Sequence, residues 1–387
     1  MRGNELLDKM GLIDPAYVEA ADVKRNKKKS SWMKQGIVAA CFAVIMIAGA
    51  MHWAQNESEI NTDLPMLSIS ENTSEAMGYE GYMAYDISEL VNANPWNEDS
   101  EITTLPVYQN SLTYDENFIA SGADFDMMQK FIVDVAGRLN LDTYHLPITD
   151  DAPDKESKQR ITKLIIKAEG VKIEVNKALT ASIFFDPSIS LPEEYNFTHS
   201  ASYTDKIAVA DYLKTEYYDF IGIDNPQVNI YGGDYNIYNQ QSYSIEFFDS
   251  GDSDVEQIIN YNFNRVAFYN DDNGGLFIAR VYHPNLSQKL GDYPIISSKQ
   301  AKKLLLNNHY ISSVPYRVSS AKYIKKVELV YRTGELEEYY MPYYRFYVEL
   351  PEEELESGLK IYGAYYVPAV QSSYISNMPT WNESLDY

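Results

Sequence analysis

One long apolar run divides the chain. Gly36–Ala54 contains no side chain that is charged at pH 7 apart from the weakly titrating His52. At about 1.5 Å rise per residue, a helix over this run spans roughly the 30 Å hydrocarbon core of a bilayer. The pattern therefore predicts a transmembrane helix at 36–54, preceded by a leader (1–35) and followed by a polar Ser/Asn/Glu-rich linker (55–78).

The flanks of this run predict its orientation. Lysines and arginines, among them Lys34, precede it, acidic residues follow it, and Trp32 and Trp53 stand at the two ends as interfacial anchors. Positive charge favours the cytoplasmic side, so we expect a cytoplasmic N-terminus, contact with membrane lipid through 36–54 and an extracytoplasmic C-terminal region. An alternative is cleavage near Ala50, because Ala48-Gly49-Ala50 has the form of a signal-peptidase site.

Beyond the linker, helical and strand-like patterns alternate. Apolar spacing predicts helices over Asp124–Leu141, Ala208–Ile221 and, behind an N-cap at Ser297, Lys299–Tyr310. Alternating or β-branched and aromatic runs predict strands. These strands are Leu105–Tyr108 (an edge strand or an extended packing segment), Ile161–Glu169, Val171–Phe185, Tyr235–Phe248, Gln257–Tyr269, Leu276–Tyr282, Ala321–Arg332, Glu337–Leu350 and Leu359–Val367.

This order predicts an α+β fold in which the transmembrane helix is followed by serial two-layer units. Each unit places one helix on an antiparallel sheet in the order α-β-β-β. The predicted domains are 79–190, 191–290 and 291–375, with a tail at 376–387. Residues 270–275 and 332–335 have turn compositions and are predicted to join neighbouring strands.

Composition restricts the partners. Residues 1–35 hold eight Lys/Arg against five Asp/Glu, whereas the rest holds 24 against 51 and is strongly acidic. An acidic exterior repels nucleic acid, so the expected partner is an extracytoplasmic protein or a wall ligand. The only cysteine, Cys41, lies in the apolar run, which excludes disulfides and cysteine nucleophiles beyond it.

Two segments resemble known families. The leader NELLDKMGLIDPAYVEAADVKRNKKKSSW resembles the cytoplasmic ends of Firmicute single-pass membrane proteins, some of them anti-sigma-factor-like. The elements SSKQAKKLLLNNHY, KKVELVYR, YYMPYYRFYVEL and LKIYGAYYVPAV, at about 295–370, are similar to PepSY-type modules of Gram-positive membrane proteins. The second resemblance implies an extracytoplasmic binding or regulatory module.

Sequence motifs give no catalytic, cofactor-binding or metal-ligating residues. The histidines after the apolar run are widely spaced, and no HExxH, GxSxG, SxxK, Walker or GxGxxG string occurs. Acidic clusters at 249–256 and 271–273 lack the spacing of a calcium loop, so they are interpreted as solvated hairpin loops, with a weak cation site as the alternative.

Tyrosine is unusually frequent, with 34 in the chain. The densest patch consists of Tyr339, Tyr340, Tyr343, Tyr344 and Tyr347, which is the candidate aromatic surface for a glycan or peptide. The competing interpretation is that these residues are strand formers that cover a sheet face.

Three functional hypotheses follow. The leading hypothesis is a non-enzymatic, membrane-tethered binding or regulatory protein of a Gram-positive bacterium. The protein is expected to need no cofactor. The alternatives are an anti-sigma-like transmembrane signal regulator and a cell-wall hydrolase with an unrecognised acidic site.

Overall fold

The computed structural model describes residues 63–69, 83–87, 92–114, 120–151, 161–312, 314–334, 336–354 and 358–381. Strands dominate these residues. They are β1 (Met83–Tyr85), β2 (Thr104–Gln109), β3 (Thr113–Tyr114), β4 (Ala120–Ser121), β5 (Thr149–Asp150), β6 (Lys163–Ala168), β7 (Val171–Asn176), β8 (Thr180–Ile189), β9 (Pro226–Tyr235), β10 (Gln241–Asp249), β11 (Arg265–Asn270), β12 (Leu276–Tyr282), β13 (Lys289–Pro294), β14 (Ile311–Ser312), β15 (Ile324–Tyr331), β16 (Tyr339–Tyr340), β17 (Pro342–Glu354) and β18 (Lys360–Pro368).

Most strands join one antiparallel sheet of thirteen strands. Its order is β15-β17-β18-β1-β9-β10-β11-β12-β8-β7-β6-β5, with β14 paired to β18 off this path. Two smaller sheets have the orders β13-β2-β16 and β3-β4. The large sheet is therefore built from strands that are far apart in sequence, and the three-residue β1 is the shortest strand in the interior of the strand order.

The helices begin at polar caps and carry one apolar face. They are α1 (Phe125–Arg138), α2 (Tyr203–Glu216), α3 (Tyr218–Ile221), α4 (Asp254–Phe263) and α5 (Ser298–Leu306). Asp124 accepts from the backbone N–H of Met127 at the start of α1, and Ser297 forms a capping box with Gln300 at the start of α5. Such side chains satisfy backbone donors that the first turn of a helix leaves unpaired.

Two hydrophobic cores lie along the large sheet. The first core is formed by α1, α2, α3 and the inward residues of β6 to β12. The second core is formed by α4, α5, β15, β17 and β18. Although α4 connects β10 to β11, its Ile258, Ile259 and Phe263 pack in the second core. This helix therefore contacts both parts of the sheet, touching β10, β11 and β15.

The predicted serial α-β-β-β units are wrong. Strands from all three predicted units join the same sheet, because β12 pairs with β8 and β1 pairs with both β9 and β18. Residues 62–387 group as one compact unit. Each unit lacks a closed sheet of its own because its outer strands find hydrogen-bonding partners in the next unit.

Several local predictions also change. Gln257–Tyr269 is not a strand, because its first half lies in α4 and only its second half in β11. The segment at 105–108 is not an edge strand, because β2 lies between β13 and β16. The predicted helix at Lys299–Tyr310 is α5, capped by Ser297 as predicted, and β12 has the predicted bounds.

The predicted single-pass membrane topology is corrected as well. Among the described residues, no helix is both long enough and apolar enough to cross a bilayer. The span predicted at 36–54, its flanks Trp32, Lys34 and Trp53, and the leader lie outside those residues. The described residues therefore do not support the predicted membrane localisation.

Candidate binding cavity

A polar cavity of about 250 Å³ lies where the two parts of the large sheet face each other. Strands β9, β10 and β11 with α4 line it from one part, and β15, β17 and β18 line it from the other. The lining residues are Asn229, Tyr231, Glu246, Tyr261, Asn262, Arg265, Val330, Tyr331, Arg332, Thr333, Gly334, Arg345 and Tyr366. Only β1 separates β9 from β18 in the sheet, and strands on both sides of this short strand contribute residues to the cavity.

Strand periodicity places charged side chains toward the cavity. In β10, Ile245 and Phe247 belong to the first core, so Glu246 between them points to the opposite face. In β17, Tyr344 and Phe346 belong to the second core, and Arg345 likewise points away from it. The same alternation therefore packs apolar residues on one face and directs a charged residue of each strand to the other.

Arg345 is held in a fully bonded ion pair with Glu328, its cross-strand partner in β15. Its Nη2 and Nε lie 2.6 and 3.2 Å from Oε2 of Glu328. Lys326 Nζ and the Asn92 side-chain amide each approach Oε1 at 2.7 Å. Burial alone would raise the pKa of Glu328, but Arg345 and Lys326 lower that pKa to about 2. This carboxylate is therefore charged throughout the physiological range.

Arg265 and Glu246 form a looser pair. Arg265 Nε lies 3.5 Å from Glu246 Oε1, while its Nη1 donates to the backbone carbonyl of Asn262 at 2.7 Å. The amide of Asn229, directly opposite Glu246 in β9, donates to Glu246 Oε2 at 3.0 Å. Burial raises the pKa of Glu246, and the opposing effect of Arg265 is smaller.

The third pair, Arg332 and Glu337, is buried but poorly bonded. Arg332 Nη2 lies 2.5 Å from Glu337 Oε1, and the side chains are only 2% and 3% exposed. Within the described part of the chain, neither Glu337 Oε1 nor any of the Arg332 nitrogens Nε, Nη1 and Nη2 has a partner in hydrogen-bonding geometry. Burial raises the pKa of Glu337 to about 7, and the charge of Arg332 compensates only in part.

Two further residues of the lining have unsatisfied atoms: Arg265, at its Nε, and Tyr261 on α4. Tyr261 is 6% exposed, and its hydroxyl has no hydrogen-bond partner among the described residues. A buried polar group without a partner costs about 1–3 kcal/mol. Arg332 and Tyr261 therefore present unmet hydrogen-bonding capacity to one cavity.

The cavity opens beside two exposed residues of its lining. Tyr231 of β9 is 41% exposed, and Thr333, just after β15, is exposed as well. The charged groups of the lining are three arginines and one glutamate. A small anion in the cavity meets these three arginines, each of which lies beside a glutamate.

A second cavity, of about 460 Å³, has a different character. It lies between α1, α3 and the adjoining ends of β11 and β12, and aliphatic and aromatic residues such as Phe131, Ile221 and Val281 line it. Its Arg138 is paired with Asp134 at 2.8 Å. This larger cavity is therefore mainly apolar, and we regard the polar cavity as the candidate site.

The candidate tyrosine surface is corrected by burial. Tyr339 is half-buried, and Tyr340, Tyr343, Tyr344 and Tyr347 are between 1% and 4% exposed. Strand β17 is covered on both faces: Tyr344 packs in the second core, and Tyr347 packs with Tyr85 and Tyr362 on the other face. These rings are packing residues rather than an exposed surface for a glycan or peptide.

The predicted acidic loops are turn and cap structures. Residues 249–256 lead into α4 instead of forming a hairpin loop, and Ser253 caps that helix. Asp271 Oδ1 accepts the backbone N–H groups of Asn273 and Gly275 at 2.8 Å, as a turn residue does. In the described residues, no group of three His, Cys, Asp or Glu side chains is placed to hold a metal ion.

Sequence reasoning missed the charged residues of the cavity. A usable signal exists, because charged residues interrupt strand-forming runs in KKVELVYR (325–332) and YYMPYYRFYVEL (339–350). Glu328, Val330 and Arg332 in the first run follow one another at every second position and so share a face of the strand.

The chain matches no protein-family model and no curated protein. The resemblances to PepSY-type modules and to anti-sigma-like leaders therefore stay predictions.

Proposed function

We propose that this is a non-enzymatic binding protein whose polar cavity takes a small organic carboxylate. The observation that carries the proposal is the guanidinium of Arg332, which lines the cavity and is buried. Among the described residues it lies beside Glu337 and the ring of Tyr343, but none of its nitrogens meets hydrogen-bonding geometry. A planar guanidinium donates two parallel hydrogen bonds to a carboxylate, so a carboxylate ligand can accept from the unsatisfied N–H groups of Arg332.

The volume sets the size of the ligand. At about 30 Å³ per water molecule, a cavity of about 250 Å³ holds roughly eight water-sized units, which suits a small acid rather than a polymer. The hydroxyl of Tyr261 offers a further hydrogen bond, and Tyr366 and Val330 supply apolar contact.

Two of the three acids around the site are held by hydrogen bonds that favour binding over catalysis. Glu328 accepts from Arg345, Lys326 and Asn92, and Glu246 accepts from Asn229. A general acid or base has to exchange its proton with substrate, which carboxylates held by such bonds do poorly.

Calorimetric titration of the full-length chain tests the proposal, with acetate, succinate, benzoate and inorganic phosphate as probes. We expect saturable binding of at least one carboxylate, and Arg332→Gln should weaken it at least about tenfold, or about 1.4 kcal/mol. The matched control is Arg317→Gln, which makes the same change at an exposed arginine and should leave binding unchanged.

A blocking variant guards against loss of folding in Arg332→Gln. Thr333→Trp places a large ring at the exposed rim and leaves the buried pairs intact, so it should abolish binding with an unchanged melting temperature. Absence of saturable carboxylate heat up to about 10 mM would overturn the proposal, since a Kd of 1 mM corresponds to only about −4 kcal/mol. Binding of phosphate alone would also overturn the carboxylate assignment.

A further inference from the structure

We infer that the cavity takes up its carboxylate together with one proton, and that Glu337 is the residue that accepts this proton. The inference rests on the proposed function and identifies how the same site manages charge. It follows from the arrangement of charges around Arg332.

The resting site already pairs one guanidinium with one carboxylate. Arg332 and Glu337 are both buried and lie 2.5 Å apart, so their charges offset each other. A ligand carboxylate at Arg332 places a second negative charge beside the same guanidinium. Two carboxylates that share a buried site do not both remain ionised readily, because desolvation and mutual repulsion disfavour the second charge.

The proton should go to the least stabilised carboxylate. Glu328 accepts charged hydrogen bonds from Arg345 and Lys326, which favour its ionised form. Glu246 accepts from Asn229 and lies beside Arg265. Among the described residues, Arg332 is the ion-pair partner of Glu337, and Glu337 Oε1 has no partner in hydrogen-bonding geometry. Of the three acids, Glu337 therefore loses least on protonation.

Among the described residues, the neighbours of Glu337 supply no competing proton acceptor. Arg332, just after β15, faces Glu337. Tyr343 of β17 lies close enough to Glu337 for their side chains to interact electrostatically. Burial raises the pKa of Tyr343 far above neutrality, so this phenol stays protonated. Asn110 contacts Glu337 only through the backbone, its side-chain amide donating to the Glu337 carbonyl at 2.9 Å.

The exchange balances in atoms and charge. The ligand enters as an anion, one proton comes from solvent, and Glu337 changes from carboxylate to carboxylic acid. The guanidinium of Arg332 then pairs with the ligand carboxylate, and the new Glu337 hydroxyl becomes a hydrogen-bond donor. The buried site keeps the same net charge before and after binding.

Proton uptake is measurable by titrating acetate or succinate into the full-length protein in buffers of different ionisation enthalpy. Since burial already raises the pKa of free Glu337 to about 7, the wild type should take up close to one proton per ligand at pH 8 and much less at pH 6. Glu337→Gln should abolish the uptake and bind with an affinity independent of pH over this range. Glu338→Gln, the same change at the exposed neighbouring acid, should behave as the wild type.

The outcomes separate the two proposals. Saturable binding without proton uptake, equal in the wild type and Glu337→Gln, would overturn the inference and leave the binding function intact. Uptake that survives Glu337→Gln but disappears in Glu246→Gln would overturn the assignment to Glu337. No saturable heat at any pH would overturn the binding function itself.

Discussion

Two buried arginine–glutamate pairs, Glu328–Arg345 and Arg332–Glu337, differ sharply in how they are bonded. Glu328 on β15 and Arg332 just after it are only a few residues apart. Glu328 is contacted by Arg345, Lys326 and Asn92, and the pKa of this acid is lowered to about 2 despite burial. Among the described residues, the ion-pair partner of Glu337 is Arg332, Glu337 Oε1 has no partner in hydrogen-bonding geometry, and burial raises the pKa of Glu337 to about 7. Burial beside an arginine therefore does not determine the charge of a carboxylate; the number and geometry of its donors do.

This difference favours a structural role for the Glu328–Arg345 pair and a ligand-binding role for the Arg332–Glu337 pair. The Glu328–Arg345 pair links β15 to β17, and its donors are used within the fold. The Arg332–Glu337 pair leaves donors free beside a cavity. An ion pair that served only packing would be more stable if those donors were satisfied within the fold. A ligand that accepts hydrogen bonds therefore adds most stability at the incompletely bonded pair.

The largest expected effect is on Glu328. Glu328→Gln leaves Arg345 buried without its charged partner, and breaking a buried pair in this way typically costs about 3–5 kcal/mol. Urea unfolding should show this loss at pH 7. In Glu337→Gln, which makes the same change in the poorly bonded pair, we expect a loss of less than about 1 kcal/mol or a gain. Equal losses in the two variants would contradict the comparison.

The pH dependence of stability should have opposite signs at the two acids. The folded-state pKa of Glu337 is raised from 4.5 to about 7, so its contribution to stability is full below pH 4.5 and is lost as pH rises to 7. The loss amounts to as much as about 3 kcal/mol. For Glu328, whose folded pKa is about 2, the contribution is present above pH 4.5 and is lost as pH falls toward 2.

Melting temperatures from pH 3 to 8 check this second prediction. Between pH 4.5 and 7, stability should fall with rising pH in the wild type relative to Glu337→Gln, which lacks the titrating group. Below pH 4.5, stability should fall with decreasing pH in the wild type relative to Glu328→Gln. Parallel pH curves for the wild type and Glu337→Gln would contradict the raised pKa of Glu337.

A third, smaller effect is expected when the poorly bonded pair is replaced as a whole. Arg332→Met combined with Glu337→Leu removes both charges together, and such replacements of buried pairs are often neutral or stabilising. We expect unfolding free energy within about 1 kcal/mol of the wild type, or higher, together with loss of carboxylate binding. Retained binding in this double variant would show that Arg332 does not hold the ligand.

Local signals made part of the fold predictable. The predicted cap Ser297, the apolar spacing of the helix that begins near Asp124 and the turn at 270–275 are encoded within a few residues, and the structure places a helix or a turn at each. The interval 257–269 failed because a short apolar run fits either a strand or a buried helix, and the contact of α4 with β15 favours the helix. The single sheet was missed because β1–β9 and β12–β8 pairing joins distant segments.

The cavity was less predictable than the fold. The alternation in β17 shows that Arg345 and Tyr344 point to opposite faces, but not that both faces are covered. Burial of the predicted tyrosine surface follows from helices, loops and strands packed on both sides of β17, which no local pattern describes. Likewise, the contact of β15 with α4, in which the Tyr331 N–H donates to Asn262 Oδ1, joins residues that are 69 positions apart in the sequence.

The smallest effect is expected at an exposed pair that has better geometry than Arg332–Glu337. Lys289 Nζ lies 2.8 Å from Asp292 Oδ1, but the two side chains are 46% and 55% exposed. Water screens such a pair, so Asp292→Asn should change the unfolding free energy by no more than about 0.5 kcal/mol, and less at high salt. Urea unfolding at low and high salt measures this change. A loss above about 2 kcal/mol at this surface pair would mean that ion-pair distance, rather than burial and donor number, governs the comparison.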